Sequence, residues 1–337
     1  MTYNLFMKKI GINGFGRIGR LALRIILEKY PDQLEVPIVN TSGKMDAAGW
    51  AHLFEFDTAY HRFAGAVGAD GEDMVVDGKH IKITGIREPE DIPWDQYGVE
   101  AVIESTGAFV KAEDMSKHLR GTVKQVMLSA PAKGEGVATV VLGINDKDKE
   151  GKQLLSNASC TTNCVSPVTK VILDKFGISK AAMTTIHAYT SDQSLHDGSH
   201  KDLRRARAAA VNVVPTSTGA AKATTEVIPQ LKGLFDGIAV RVPVITGSLT
   251  DFTFITARAT TVEEVNQVLE EAAADEYFGK YLWVTKKPIV SSDVIGCEAS
   301  ALVDLSLTQV IGGDLVKVYA WYDNEWGYTS RLVEQLL

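Results

Sequence analysis

Cys160 lies in Ser156-Asn157-Ala158-Ser159-Cys160-Thr161-Thr162-Asn163-Cys164. This small polar stretch runs into an apolar periodicity at Val165, Val168, Val171 and Ile172 and stops at Gly177. The pattern predicts a helix with Cys160 near its N-terminus. Such a position stabilises a thiolate and lowers a thiol pKa, because it offers unpaired N–H groups and the positive end of the helix dipole. The same N–H groups can hold a developing oxyanion. The competing reading is a small buried hydrophobe, the usual fate of a free cysteine, and local chemistry leaves both open. Cys164 falls one turn deeper and reads as buried and inert. Cys297, in Ile295-Gly296-Cys297-Glu298, has no comparable setting.

A nucleophilic thiolate needs a base or an imidazolium partner. The histidines are His52, His61, His80, His118, His187, His196 and His200. His187 closes the strand-like run Ala182–Ile186 and opens the polar loop Ala188–Gln193, a junction where catalytic groups are often placed. Spacing alone does not bring it to Cys160, and a structural histidine fits as well.

Gly14-Phe15-Gly16-Arg17-Ile18-Gly19 is a GxGxxG that follows one strand-like run and opens a helical one. In that context glycines permit a tight turn and close approach of backbone to a pyrophosphate, with the helix N-terminus facing the charge. A turn without a ligand is the alternative. The acid expected about 20 residues further on, which binds ribose hydroxyls in cofactors lacking a 2′-phosphate, is missing. The second strand ends Val39-Asn40-Thr41-Ser42-Gly43-Lys44, and the next carboxylate is Asp46. Hydroxyls and a lysine receive a 2′-phosphate where a carboxylate repels it, although Thr-Ser-Gly is also ordinary turn chemistry.

Two further stretches suit anions. Pro215-Thr216-Ser217-Thr218-Gly219-Ala220-Ala221-Lys222 reads as an anion nest or a plain helix cap. Arg241 interrupts the apolar run Ile238–Val244, where a guanidinium is costly to bury unless it faces an anion. The basic run His200–Arg207 reads as a solvated face rather than a nucleic-acid patch, since the chain carries a net charge of -7.

The elements that must carry these groups change character midway. Lys9–Asn13, Leu34–Asn40, Ala101–Glu104 and Gln125–Leu128 read as strands, with the helix Ile18–Tyr30 after the first. Alternation of this kind implies an α/β parallel sheet flanked by helices. Ala181–His187, Gly237–Pro243, Leu249–Ala257 and Leu315–Tyr322 are longer runs rich in Val, Ile, Thr and Phe, and imply a mostly antiparallel sheet. Thr261–Ala274 and Thr329–Leu337 read as helices. At 337 residues two domains are expected, dividing near Asn157–Cys160. Three cysteines cannot form a paired disulfide framework, and no apolar run spans a bilayer. With no signal-like N-terminus, a cytoplasmic protein is expected. Met7 reads as a second candidate start, which would make residues 1–6 a tag-like extension.

Taken together, Ile12–Arg20, Ser105-Thr106-Gly107, Ser129-Ala130-Pro131, Ala158–Cys164, His187-Ala188-Tyr189-Thr190, Lys201–Ala209, Thr218–Lys222 and Trp321–Tyr328 resemble the phosphorylating glyceraldehyde-3-phosphate dehydrogenases over nearly the whole chain. The resemblance implies an N-terminal Rossmann-type doubly wound parallel sheet (residues 1–159 and 324–337) and a C-terminal α+β catalytic domain (160–323). Cys160 then matches the nucleophile that forms a thioester, and His187 the general base. Thr190 and Arg241 match the site for the C3 phosphate of the substrate, and Ser159, Thr161, Thr218 and Gly219 that for attacking inorganic phosphate. Gly14, Phe15, Gly16, Arg17, Ile18, Gly19 and Asn40 match the cofactor turn and ribose side. Thr106 and Phe109 match the adenosine pocket, Ser129 a position beside the nicotinamide, and Asn324 the residue that orients its amide. No metal is implied. A homotetramer is, with Lys201–Ala209 in a loop crossing toward a neighbouring cofactor.

Two departures concern the cofactor. Where NAD-using members carry Asp after Asn40, this chain has Thr41 and then Ser42. Where they carry Leu-Pro before the basic loop, it has Gly198-Ser199. Members that accept NADPH are similar at Ser42 and Ser199, so NADP or dual use is expected over NAD alone. Erythrose-4-phosphate dehydrogenase is the nearest alternative activity. A nucleotide-sensing or RNA-binding protein with a relict site is the alternative of another class, and intact Cys160 and His187 count against it.

Overall fold

The computed structural model describes residues 7–337; the extension expected at residues 1–6 lies outside them. Cα packing divides the described residues into two units, 7–140, 147–158 and 329–337 in one, and 141–146 and 159–328 in the other. Residues 324–328 thus pack with the second unit, beyond the boundary expected from sequence.

The first unit is built on a nine-stranded sheet. Strand β1 (Lys8–Asn13) lies at its centre, parallel to β2 (Leu34–Asn40) on one side and to β3 (Ala101–Glu104) on the other. β4 (Gln125–Leu128) and β5 (Leu154–Ser156) extend the parallel array. An antiparallel edge over residues 67–84 completes the opposite side. Ile10, Ile12, Val102 and Ile103 are fully buried, as central parallel strands covered on both faces require. Helix α1 (Arg17–Lys29) starts directly after β1 and buries Leu21, Ala22, Ile25 and Ile26, the face its periodicity predicts. Arg24 is buried beside that face. Its guanidinium stacks on Phe54 and Phe63 and donates to the carbonyls of Phe54, Tyr60 and His61.

The second unit holds an eight-stranded, mostly antiparallel sheet. Helix α2 (Cys160–Phe176) packs on it, ending at Gly177 with φ 68°. β6 (Ile178–Ala188) pairs antiparallel with β8 (Ser248–Thr256), but parallel with β7 (Phe235–Val242). That parallel register sets His187 directly opposite Arg241. β8 in turn pairs with β9 (Leu315–Tyr322), and Thr250 and Phe252 are fully buried beneath α2. Among the described residues no helix is long and apolar enough to cross a membrane, and no group of three His, Cys, Asp or Glu could hold a metal.

Candidate active site and dinucleotide pocket

The chain enters α2 through Ala158, whose φ of 54° is left-handed and costs a non-glycine residue roughly 1–2 kcal/mol. Ser159 caps the helix, its Oγ accepting from the Thr162 N–H at 3.0 Å. Cys160 is therefore the first helical residue, as its sequence setting predicts. Its Sγ lies 3.4 Å from His187 Nε2. His187 Nδ1 lies 2.7 Å from the Ala188 carbonyl, which can only accept, so Nδ1 carries the proton and Nε2 presents a lone pair to the thiol.

Electrostatics correct one expectation. The thiol of Cys160 is not depressed: burial pushes it above its ordinary value, and the guanidinium of Arg241 opposes that without cancelling it. His187 is held neutral, lowered to about 3 by burial and then by Arg241. Each shift taken by itself favours the uncharged form of its group. Because His187 has a lower pKa folded than unfolded, the unfolded chain binds more protons between about 3 and 6.5. Its contribution to stability is complete above 6.5 and lost as pH falls toward 3. Urea unfolding from pH 7 to 4 should show a steeper loss for the wild type than for His187→Asn, by about one proton taken up on unfolding. Equal slopes would refute a buried neutral imidazole.

Arg241 Nη1 donates to Thr190 Oγ1 at 3.1 Å and to the Ala188 carbonyl at 3.2 Å. Its Nε is buried without a partner, an orphaned cationic donor of the kind an anion satisfies. Thr161 Oγ1 and Thr185 Oγ1 meet the hydroxyl of Tyr322 at 3.0 and 2.7 Å, and the Tyr322 ring stands edge-on to His187. The structure thus gathers Cys160, His187, Thr190, Arg241 and Thr161, and adds Tyr322, which carries no role in the sequence reading. Thr218 and Gly219 lead into helix α3 (Ala220–Val227), which packs against α2, and Thr218 Oγ1 accepts from the Ala220 N–H. Ser199 lies exposed on the loop after Thr190. The basic run after it is largely internally paired: Arg205 with Asp192, Thr216 and the Ser217 carbonyl, Arg207 with Asp197. That leaves little of it to read nucleic acid. Cys164 is fully buried with its thiol raised by burial.

Asn324 Oδ1 accepts from the Gly247 N–H at 3.2 Å, which fixes the orientation of the buried amide.

In the first unit a cavity of about 670 Å³ opens over the ends of β1, β2 and β3. Asn13, Gly14, Phe15, Gly16, Asn40, Thr41, Ser42, Thr106 and Phe109 line it. Gly14 has φ 95° and lies against the Ser105–Thr106 backbone, where a Cβ would approach to 2.6 Å. A Cβ on Gly19 would meet the Gly14 carbonyl at 2.1 Å, so this glycine serves helix packing. Gly16 faces open space, and no side chain caps α1. Arg17 turns away to pair with Asp57, and Ile18, Gly19 and Ser129 lie outside the lining.

Thr41 uses its hydroxyl locally: Oγ1 donates to the Thr84 carbonyl at 2.9 Å and accepts from the Gly43 N–H at 3.2 Å. The cavity also holds Arg87, an exposed cation that no sequence signal marked. Beneath it lies a buried network. Trp94 Nε1 donates to His118 Nδ1 at 3.0 Å, and His118 Nε2 donates to Glu104 Oε2 at 3.2 Å. Asn13 Nδ2 donates to the same oxygen at 2.6 Å. Thr106 gives both its N–H and its hydroxyl to Glu104 Oε1. Asn40 joins through Asn13 at 2.8 Å.

Comparison with known proteins places this geometry. Residues 8–112 match the family described as glyceraldehyde 3-phosphate dehydrogenase, NAD binding domain, and residues 159–324 match the corresponding C-terminal domain. A Streptomyces avermitilis protein named glyceraldehyde-3-phosphate dehydrogenase 2 is 52% identical over 97% of this chain and 96% of its own length. A Clostridium acetobutylicum glyceraldehyde-3-phosphate dehydrogenase is 50% identical over 98% of both. With both domains matched and half of all residues shared along nearly the full length, the chain belongs to the glyceraldehyde-3-phosphate dehydrogenase family.

Proposed function

We propose that the chain oxidises glyceraldehyde 3-phosphate to 1,3-bisphosphoglycerate, reversibly, through a thioester on Cys160. The observation that carries this reading is Cys160 at a helix start, 3.4 Å from a neutral His187 whose free lone pair faces the thiol. Thr190 and Arg241 receive the substrate's C3 phosphate. That step also tunes the base: Arg241 is one of the two main causes lowering His187, and a dianion on the guanidinium offsets it. His187 then gains basicity when substrate is seated, drawing the thiol proton as Sγ attacks the aldehyde carbon. The helix N–H groups at Cys160 hold the oxyanion. His187 returns that proton to the oxyanion, giving the hemithioacetal hydroxyl, and takes it again as the carbon gives up its hydride, for which a bound nicotinamide would be the acceptor. Inorganic phosphate held by Ser159, Thr161, Thr218 and Gly219 attacks the thioester and releases Cys160. Ser159 Oγ also accepts from the Thr162 N–H, and Thr161 Oγ1 is bonded to the Tyr322 hydroxyl, so both hydroxyls are held in place by the protein.

Gly14, Phe15 and Gly16 with the N-terminus of α1 hold the pyrophosphate. Thr106 and Phe109, which line the cavity, hold the adenosine, and Asn324 orients the amide of the nicotinamide. NADP or dual use is favoured by the absence of a carboxylate at position 41, by Ser42 in the cavity and by Arg87, which shares the lining with its ion-pair partner Glu88. Thr41 contributes by removing repulsion rather than by donating, since its hydroxyl is already committed. A carboxylate there would oppose a 2′-phosphate by on the order of 1–4 kcal/mol in a partly wet site. Thr41→Asp should therefore shift the NAD to NADP ratio of kcat/KM toward NAD by at least about tenfold. A wild type that strongly prefers NAD, unchanged by Thr41→Asp, would make the missing acid a turn variation only.

A homotetramer accounts for the loop that carries Ser199. Leu195, Leu203, Val211 and Val213 stand between 65% and 81% exposed there, apolar surface suited to burial against another copy. Ser199 would then reach a neighbouring cofactor. A cytoplasmic setting suits the catalytic thiol. Initial rates on glyceraldehyde 3-phosphate and erythrose 4-phosphate, with each cofactor and with and without phosphate, test the reading. Activity indifferent to phosphate, or confined to the four-carbon sugar, would overturn it.

A further inference from the structure

Ser248 is fully buried at the start of β8 and lies between two groups of the reaction. The Ala188 N–H lies 3.1 Å from its Oγ. A backbone N–H can only donate, so the oxygen accepts there and its own proton is left for one other bond. That bond goes to Asn324 Oδ1 at 2.8 Å. Gly247 N–H and, more distantly, Thr246 Oγ1 point at the same oxygen, so Oδ1 takes donors on several sides and the amide is fixed in orientation. On its other side Ala188 uses its carbonyl to hold the His187 Nδ1 proton and Arg241 Nη1. One hydroxyl therefore joins Asn324 to the backbone of Ala188, whose N–H and carbonyl, in adjacent peptide groups, connect Ser248 on one side with His187 and so Cys160 on the other.

We propose that Ser248 is a positioning residue that sets Asn324 and His187 together, coupling cofactor orientation to the geometry of the catalytic base. Without the hydroxyl, the Asn324 amide loses its shortest restraint and the buried Ala188 N–H loses its acceptor. Both ends of the path then loosen. The cofactor half of this inference rests on the reading of Asn324 as the amide that meets the nicotinamide.

The test uses the full chain as Ser248→Ala, Asn324→Ala and the double variant, each checked by thermal unfolding. Three quantities are read: cofactor KM against kcat, the face of hydride delivery from C4-deuterated cofactor, and the pH profile of Cys160 alkylation by iodoacetate without cofactor. Ser248→Ala should raise cofactor KM about tenfold, the loss of one well-formed hydrogen bond, and deliver measurable deuterium to the wrong face. Asn324→Ala should do the same, and the double variant should add nothing further to either. Ser248→Ala, but not Asn324→Ala, should also change the alkylation profile. Additive cofactor effects in the double variant would overturn the coupling, as would a Ser248→Ala enzyme with wild-type KM and alkylation. If Asn324→Ala alone leaves KM and hydride face unchanged, the Asn324 reading falls and takes the cofactor half with it. The alkylation result then decides the remaining half.

Discussion

Cys160→Ser should lose dehydrogenase activity by more than about 10⁴-fold, beyond the range of a single acid–base contribution, because the covalent step itself disappears. A serine hydroxyl is far less acidic than a thiol, and the neutral His187 beside it is a weak base until an anion occupies Arg241. The fold should be untouched. The helix start is secured by the Ser159 cap and not by the thiol, so unfolding temperature and cofactor affinity should match the wild type. Iodoacetate labelling followed by peptide mapping gives an independent check. Cys164 is fully buried, so label should concentrate at Cys160. Preferential labelling of Cys164 or Cys297, with Cys160 untouched, would remove the nucleophile assignment.

His187→Asn should slow thioester formation by about 10²–10⁴-fold, the span of a general base. Asparagine can still reach the Ala188 carbonyl but presents no basic nitrogen to Sγ. The thiol also loses the acceptor of its proton, so Cys160 alkylation near neutral pH should slow as well. The catalytic loss should be seen in the single-turnover rate of hydride transfer. A variant with an unchanged single-turnover rate would exclude His187 from the mechanism.

The sequence carries the cofactor turn openly. Gly14, Gly16 and Gly19 fall where strand meets helix, and Gly14 and Gly19 each have a distinct steric reason in the structure. The Cys160 helix is equally legible, from Ser159 to Gly177. The approach of His187 is not, because it depends on β6 lying beside β7 with a parallel register that pairs His187 with Arg241. Apolar runs look alike whether their neighbours run parallel or antiparallel. The burial that opposes a lowered Cys160 thiol is not legible either, since the helix start is local but burial is supplied by distant strands. Thr41 shows the same limit: its hydroxyl is visible in the sequence, and the Thr84 carbonyl that claims it is not. Arg87 enters the cavity from a segment with no motif.

Glu104 also bears on how this family can vary. Four donors from His118, Asn13 and Thr106 converge on its two oxygens, and none of the four can reverse its role without breaking another bond. The isosteric amide would turn an NH₂ against donors on one side or the other. Aspartate, one methylene shorter, would withdraw from both. Position 104 is thus not free to drift alone: a lineage that replaces it must also change position 13, 106 or 118, and the four should be inherited as a set.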